Sequence, residues 1–257
     1  MLAEFEFPPI SHLFVWPDIA LKDTAFGINK VVLVIWLSSA LTLLFFFAAS
    51  ARARKGSLVP SGVQNAAEAG YDLVEQSIAV EVMGHDGKKW APFLSALFFW
   101  ILFANLVGLV PIIQLPVASK IAIPMFLALL IWVLMIFMGF KSQGPKYFTN
   151  AIFPPGVPKA LYILVTPIEF VSKFLVRPFS HMVRLFANLM AGHILLTTFA
   201  LLTAALWLAK WNAVFLPLPL FMGIAMLGFE LLVAVLQAYI FTILAAVYIG
   251  ESLHPEH

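Results

Sequence analysis

The sequence predicts an all-α integral membrane protein, and three observations lead to this prediction. The 257 residues are 62% hydrophobic and only 11% charged. The mean hydropathy of the chain is +0.99. The apolar residues form five long runs, each at least about 20 residues, the length at which a helix crosses the hydrocarbon core. We therefore expect about five transmembrane helices in a single membrane domain over residues 1–257, with one additional amphipathic interfacial helix.

Composition also excludes several classes of function. The net charge is only +2, and the basic residues are scattered singly, so no nucleic-acid surface is predicted. The chain has no cysteine, which excludes disulfides and thiolate metal sites. We expect no metal and no cofactor. Residues 1–30 contain acidic residues and prolines rather than a basic segment before an apolar core, so they are interpreted as a tail outside the bilayer and not as a signal peptide.

The first predicted transmembrane helix spans residues 31–50. Three basic residues, Arg52, Arg54 and Lys55, follow it directly. Lys and Arg are enriched on the cytoplasmic side of membrane helices. The sequence therefore places the N-terminus outside and this end of the helix in the cytoplasm.

Residues 62–80 have a different pattern, typical of an amphipathic helix. Apolar residues recur at helical spacing, and Glu68, Asp72 and Glu75 share the opposite face. Such a helix lies on a membrane surface or against another subunit. Membrane-surface helices usually carry a basic polar face, so the acidic face here favours a protein contact.

The second and third predicted transmembrane helices span residues 91–110 and 121–140. Pro111 and Pro116 lie between them and predict a tight turn, so the two helices should form a hairpin. Several prolines follow between residues 141 and 178, and no helix could cross that whole stretch unbroken.

The last two apolar segments, 179–209 and 220–249, are unusually long. As helices they would measure roughly 46 and 45 Å, which exceeds the core thickness of about 30 Å. They should tilt strongly, bend, or run partly along the interface. The helical pattern already begins near Leu161, and we expect Pro178 to kink or interrupt it.

The distribution of basic residues provides a check on orientation. Five spans with an outside N-terminus place the C-terminus in the cytoplasm. Of the 15 Lys and Arg, most then fall on the cytoplasmic side, as the positive-inside rule requires. The cytoplasmic set is 52, 54, 55, 88, 89, 141, 146, 159, 173 and 177, and the outside set is 22, 30, 120 and 210.

Five polar residues within the last two apolar segments are the candidate functional residues. Arg184 lies in the middle of an apolar run, where a charge costs at least about 2.5–3.5 kcal/mol, so it should face a partner, a cavity or a transport path. Asn188 shares its helix face, whereas His193 points to roughly the opposite side. Glu230 and Gln237 are seven residues apart and share one face of the last helix.

Antiparallel pairing of these two helices gives the residues a chemical meaning. If Arg184 and Gln237 are level, His193 and Glu230 lie about 13.5 and 10.5 Å further outward, within reach of each other. A carboxylate and an imidazole in a wet cavity can relay protons. A guanidinium cannot lose its proton, so it blocks such a relay. The pattern predicts a proton path with a charged gate.

Other interpretations stay open at this point. Arg184 could be a structural ion-pair partner of Glu230 or Glu169. A purely structural membrane scaffold is a separate alternative, and it would not need Arg184. An independent secondary transporter is disfavoured because we find no internal repeat. A haem protein is disfavoured because His181 and His193 point about 120° apart on their helix.

Four segments resemble one known family, subunit a of the F-type rotary ATP synthase. The resemblance covers nearly the whole chain from the first span onward. The segments are NLVGLVP at 105–111, Pro167-Ile168-Glu169, RLFANLMAGH at 184–193 and LQAYIFTILAAVYI at 236–249.

The resemblance implies a role for each candidate residue. Arg184 matches the stator arginine that faces the carboxylates of the rotating c-ring, and Asn188 and Gln237 match polar residues beside it. His193 and Glu230 match a pair lining the half-channel open to the outside, although in some bacterial members the acid and imidazole are exchanged. A further residue, Glu169, matches a position on the cytoplasmic half-channel.

The resemblance also implies the setting. The protein would be a proton-translocating stator subunit with two half-channels that load and unload the c-ring. It would have no catalytic chemistry of its own, because ATP is made elsewhere in the complex. Its partners would be the c-ring, b-type subunits of the peripheral stalk and membrane lipid, in a bacterial plasma membrane.

Overall fold

The structure is a computed structural model, and it describes residues 29–53, 62–110, 120–153, 161–208 and 210–253, together with positions 113 and 158. These residues are almost entirely helical and contain no β-strand. Within them, five helical segments are long and apolar enough to cross a membrane. The predicted fold class, a membrane protein of about five transmembrane helices, is confirmed.

The helix bounds differ from the predicted ones by a few residues at either end. In chain order they are α1 (Lys30–Ala53), α2 (Val63–Val74), α3 (Gly87–Gly108), α4 (Ala122–Gln143), α5 (Lys146–Ile152), α6 (Tyr162–Phe170), α7 (Arg177–Leu208) and α8 (Pro217–Leu253).

Two π-helical segments interrupt the regular hydrogen bonding. Glu75–Val80 continues α2, and Val171–Val176 joins α6 to α7. A kink or an interruption was expected at Pro178; the α-helix runs through this residue, and the π-helical interruption lies directly before it. Proline cannot donate a backbone hydrogen bond, and the π-helical segment directly before it shifts the pairing of the carbonyl groups in that turn.

Some sequence predictions lie outside the described residues. These are the tail up to residue 28, the turn at Pro111 and Pro116, and the prolines at 154 and 155. The chain divides into two compact units. The first comprises Met1–Leu43, Trp100–Lys120 and Phe186–Gln237, and the second comprises Leu44–Phe99, Ile121–Leu185 and Ala238–His257.

The first unit is joined by a few polar contacts between apolar helices. The Asn29 side chain accepts a hydrogen bond from the Val32 amide at 3.1 Å, which caps the start of α1. The Trp100 indole of α3 donates to the Ser39 hydroxyl of α1 at 3.0 Å. Between helices in lipid, contacts of this kind help association because lipid offers no polar partner.

In the second unit, α2 folds back against α3 at a glycine corner. Gly84 has φ +61°, a backbone conformation that favours glycine. Just beyond the corner, Gly87 lies directly against the Ala79 carbonyl, and Gly70 lies against the Phe99 ring. Ala67, Val74 and Ile78 on the apolar face of the predicted 62–80 helix are buried, and Gly70 beside them contacts Phe99 of the chain's own α3.

The ends of α4 and α8 meet elsewhere in the second unit. Ser142 and Gln143 donate side-chain hydrogen bonds to the carbonyls of Leu253 and Ser252, both at 3.0 Å. These bonds satisfy carbonyls at the C-terminus of α8 that have no partner within the helix. Tyr147 of α5 packs on α4, and burial raises the pKa of its phenol.

We predict that Gly70→Ala destabilises the protein. A Cβ at this position would fall on the Phe99 ring, which is held by Phe45 and Phe46 with ring centroids 4.9 and 5.2 Å away. Overpacking of this kind typically costs about 1–3 kcal/mol. Thermal unfolding of the detergent-purified protein should show a lower Tm.

Gly228→Ala is the matched control, because a Cβ at this helical glycine meets nothing within 4 Å. Its Tm should be unchanged or slightly higher, since alanine favours helix more than glycine does. Combining Gly70→Ala with Phe99→Leu should recover part of the loss. Equal Tm values for Gly70→Ala and the native chain would contradict the proposed contact.

Candidate functional site

A small cavity lies in the first unit, between segments of α3, α7 and α8. Its volume is about 20 Å³, enough for one water molecule. Four of its lining residues carry polar side chains, and apolar residues and glycines complete the wall. The polar residues are Asn105, Asn188, His193 and Glu230.

Among the described residues that line this cavity, Glu230 is the acidic one. Its side chain is buried, and Oε2 has no hydrogen-bond partner among the described residues. A Cβ added to Gly192 would lie 2.7 Å from Oε1 of Glu230. The carboxyl group thus packs directly against the backbone of α7 at Gly192, which has no side chain. A carboxyl oxygen that has no protein partner and adjoins space for a water can exchange its proton with that water.

His193 is buried on the same cavity, and its backbone carbonyl accepts a hydrogen bond from the Thr197 hydroxyl at 2.7 Å. Asn188, one turn before it, also lines the cavity but is itself exposed. The structure therefore brings Glu230, His193 and Asn188 to one place. An acid, a base and an amide around a single water site are the groups that a proton relay uses.

Asn105 is a residue of this site that the sequence interpretation did not single out. It is buried, and its Nδ2 donates to the Ala234 carbonyl of α8 at 3.3 Å. Ala234 lies one turn after Glu230, so this bond holds α3 beside the helical turn that carries the carboxyl group. A lone amide in an apolar span was the available signal, because polar side chains there usually join helices.

Arg184 belongs to the second unit and is exposed. Its guanidinium forms no hydrogen bond or ion pair with the described residues of that unit. The structural pairing with Glu169 is not found, because Glu169 forms an ion pair with Lys173 at 3.1 Å. Arg184 therefore presents a permanent charge on the side of an apolar helix.

Glu169 is half-buried near the end of α6. Its partner Lys173 also donates to the Ala151 carbonyl at 3.1 Å, which satisfies a carbonyl in the last turn of α5. Gln237, the remaining candidate, is buried at the end of the first unit.

A second polar cluster lies where the beginning of α7 meets the end of α8 in the second unit. Arg177 forms an ion pair with Glu251 at 2.5 Å, and its guanidinium stacks 5.1 Å from the Tyr248 ring centroid. His181 is buried beside them, with its ring centroid 3.8 Å from that of Phe241. The described residues contain no group of three or more acidic or histidine side chains able to hold a metal ion.

The fold and the site together define a multi-span helical membrane protein with ionisable groups at membrane depth. Comparison with known proteins identifies the family. The family model for the ATP synthase A chain matches residues 32–250.

Relatives named ATP synthase subunit a are similar over most of their length. The relative from Rhodococcus erythropolis is 38% identical over 98% of this chain and 92% of its own. The relative from Frankia alni is 39% identical over 94% of this chain and 83% of its own. The relative from Gluconacetobacter diazotrophicus is 39% identical over 90% of both chains.

The chain belongs to the ATP synthase subunit a family. Members of this family are the proton-translocating subunits of the membrane sector. Proton translocation is therefore the function of this chain. The protein is thus a membrane component of the ATP synthase complex.

We predict that Gly192→Ala slows proton pumping, because a methyl group there displaces the Glu230 carboxyl group. A misplacement of about 1 Å can cost up to about 100-fold in rate. ATP-driven acidification of inverted membrane vesicles measures the effect. Gly223→Ala is the control, because its Cβ would meet only Phe199 at an ordinary 3.6 Å.

A double variant separates crowding from other effects. Glu230→Asp shortens the side chain by one methylene, so adding Gly192→Ala to it should cost less than the same change in the native chain. Equal losses in both backgrounds would argue against direct contact between these two positions.

Proposed function

We propose that this chain is the stator of a rotary proton path, with two half-channels that load and unload carboxylates of a rotating c-ring. Protons reach the ring from outside the cell through the cavity at Glu230 and His193. They leave on the cytoplasmic side near Glu169. Arg184 separates the two paths. The chain performs no covalent chemistry, and it couples the proton gradient to ATP synthesis at other subunits.

The exposed guanidinium of Arg184 carries this proposal. It lies on an apolar helix and forms no ion pair with the described residues of its own unit. A charge at membrane depth needs a partner, and a carboxylate from a neighbouring subunit is the natural one, because a guanidinium binds carboxylates bidentately. A guanidinium that keeps its proton also stops protons from hopping directly between half-channels.

The cavity of the first unit supports the outside half-channel. His193, Glu230 and one water can pass a proton by short hydrogen-bonded steps. Once the ring carboxylate is protonated it is neutral, and a neutral acid can face lipid at a far lower cost than a carboxylate. After most of a turn it reaches the cytoplasmic half-channel, where the charge of Arg184 favours its ionisation.

The setting follows from the same proposal. The c-ring lies against the face that carries Arg184, and b-type subunits of the peripheral stalk hold the chain against rotation. The N-terminus lies outside and the C-terminus in the cytoplasm of a bacterial cell. Ten of the 15 Lys and Arg residues then lie on the cytoplasmic side, which supports this orientation.

Replacing Arg184 by Ala should abolish ATP-driven acidification of inverted vesicles, because the variant lacks the charge that ionises and attracts ring carboxylates. The loss should exceed about 100-fold, the scale for removing a charge that acts directly at a reacting group. The variant vesicles should also leak protons passively, since the block between half-channels is gone.

Lys141→Ala serves as the control, because it removes an exposed basic residue from the last turn of α4. It should pump normally. Co-purification of the other subunits shows that each variant complex is assembled. Normal pumping by an assembled Arg184→Ala complex would refute the proposal and favour a membrane scaffold.

Exchanging the residues of the cavity pair should preserve function better than losing either one. His193→Glu and Glu230→His, made singly, leave two acids or two imidazoles and should each lower pumping about tenfold or more. The double variant restores one acid and one base on the same water site. Its pumping should recover to within about tenfold of the native rate.

The three rates are compared at equal amounts of assembled complex. A double variant slower than both single variants would show that the two positions do not share one task. In that case His193 or Glu230 would act alone in the outside half-channel.

A further inference from the structure

His181 is a buried imidazole for which the proton path above has no use. Its side chain is 3% exposed, and its Nε2 has no hydrogen-bond partner among the described residues. Its ring lies between Phe241 and Tyr248 of α8, with ring centroids 3.8 and 5.7 Å away. A buried nitrogen without a partner is costly, and such groups usually serve a purpose.

The surroundings of His181 hold its ring in place. Arg177 also lies over the Tyr248 ring and pairs with Glu251. These contacts leave the imidazole little room to turn. The position of Nε2 is therefore set by the packing of α7 on α8.

Arg184 is the charged donor nearest to His181 in sequence on α7. The two residues are three positions apart on α7, and residues at this spacing are neighbours on a helix surface. The Arg184 side chain therefore starts one helical turn from the imidazole. This long side chain has several rotatable bonds, whereas the imidazole is fixed.

A rotary mechanism makes the partner of Arg184 intermittent. Each ring carboxylate passes and is protonated, and until the next arrives the guanidinium lacks an anion. A cation at membrane depth needs a hydrogen-bond acceptor during that interval. In a neutral imidazole, one ring nitrogen is such an acceptor.

We propose that Nε2 of His181 accepts a hydrogen bond from the Arg184 guanidinium in the interval between two ring carboxylates. His181 is thus a positioning residue, which holds Arg184 near the place where the next carboxylate arrives. This inference rests on the function proposed above for Arg184. It assigns His181 no proton of its own to transfer.

Two variants of His181 distinguish a role in positioning Arg184 from a role in packing alone, because each role predicts that a different variant loses activity. His181→Phe keeps an aromatic ring against Phe241 and Tyr248 but has no acceptor. His181→Gln loses the ring but keeps an acceptor oxygen. If His181 positions Arg184, the Phe variant should pump about tenfold more slowly, as expected for losing a hydrogen bond to a charged group. The Gln variant should stay within about threefold of native.

The measurement is ATP-driven acidification by inverted vesicles that carry the complete synthase, normalised to assembled complex. His181→Leu is a second variant without an acceptor, in case the larger ring of phenylalanine impairs assembly. It should match the Phe variant. Tyr248→Phe removes the phenol oxygen from the ring that contacts His181, a second candidate acceptor for Arg184, and should pump faster than His181→Phe.

Other outcomes would overturn the inference. Native pumping by His181→Phe, or a larger defect in the Gln variant, would show that the ring only packs. A defect in Tyr248→Phe without one in His181→Phe would assign the acceptor to the phenol. If Arg184→Ala pumps normally, the proposed function fails as well. If Arg184→Ala is inactive and His181→Phe is native, only this inference fails.

Discussion

A guanidinium cannot shed its charge to suit a hydrocarbon environment, and the polar chemistry of this protein depends on that constraint. Carboxyl and imidazole groups can become neutral when they are buried, so Glu230 and His193 are tolerated inside the first unit. Arg184 has no such option, and it is exposed on α7. The charge of Arg184 must be stabilised by other molecules or by hydrogen-bond acceptors within reach of its side chain. Arg184 therefore depends on the partner whose carboxylate it binds in the proposed function.

The frame that holds these groups relies on close helix contacts rather than on water exclusion. In lipid, apolar surface gains little by leaving the solvent, so helices associate through tight packing and a few hydrogen bonds. Gly70 and Gly192 provide such contacts, each receiving a large side chain directly against its backbone. The hydroxyl groups of Thr42 and Thr242 donate to carbonyls of their own helix at 2.8 Å, so these two donors are satisfied without water.

Hydropathy predicted the five spans because the bilayer imposes both the length and the composition of a crossing helix. Periodicity showed that residues 62–80 have an apolar face, but it could not show what covers that face. The answer depends on Gly84, whose positive φ turns α2 back onto α3. Helix phase likewise assumed regular hydrogen bonding, so the π-helical segment before Pro178 could not be anticipated.

Those residues of the polar site that are rare in membrane helices could be predicted from the sequence. A residue whose role depends on a hydrogen-bond partner far away in the sequence could not. Arg184, His193 and Glu230 were evident because ionisable groups inside apolar runs stand out. Asn105 was not, since its hydrogen-bond partner lies 129 residues further along the chain. His181 was weighed only as a haem ligand, because sequence alone does not reveal that its ring lies between Phe241 and Tyr248.

The size of the cavity beside Glu230 has a consequence for ion selectivity. A space of about 20 Å³ holds one water molecule. One water is enough for proton transfer, because a proton moves by exchange of hydrogen bonds and does not carry a hydration shell with it. A metal cation of any kind would have to shed its hydration before reaching the carboxyl group, and dehydration is costly unless several oxygen ligands replace the lost water. On the proposed proton path, the small size of this cavity would therefore exclude hydrated cations before any ion reaches the c-ring.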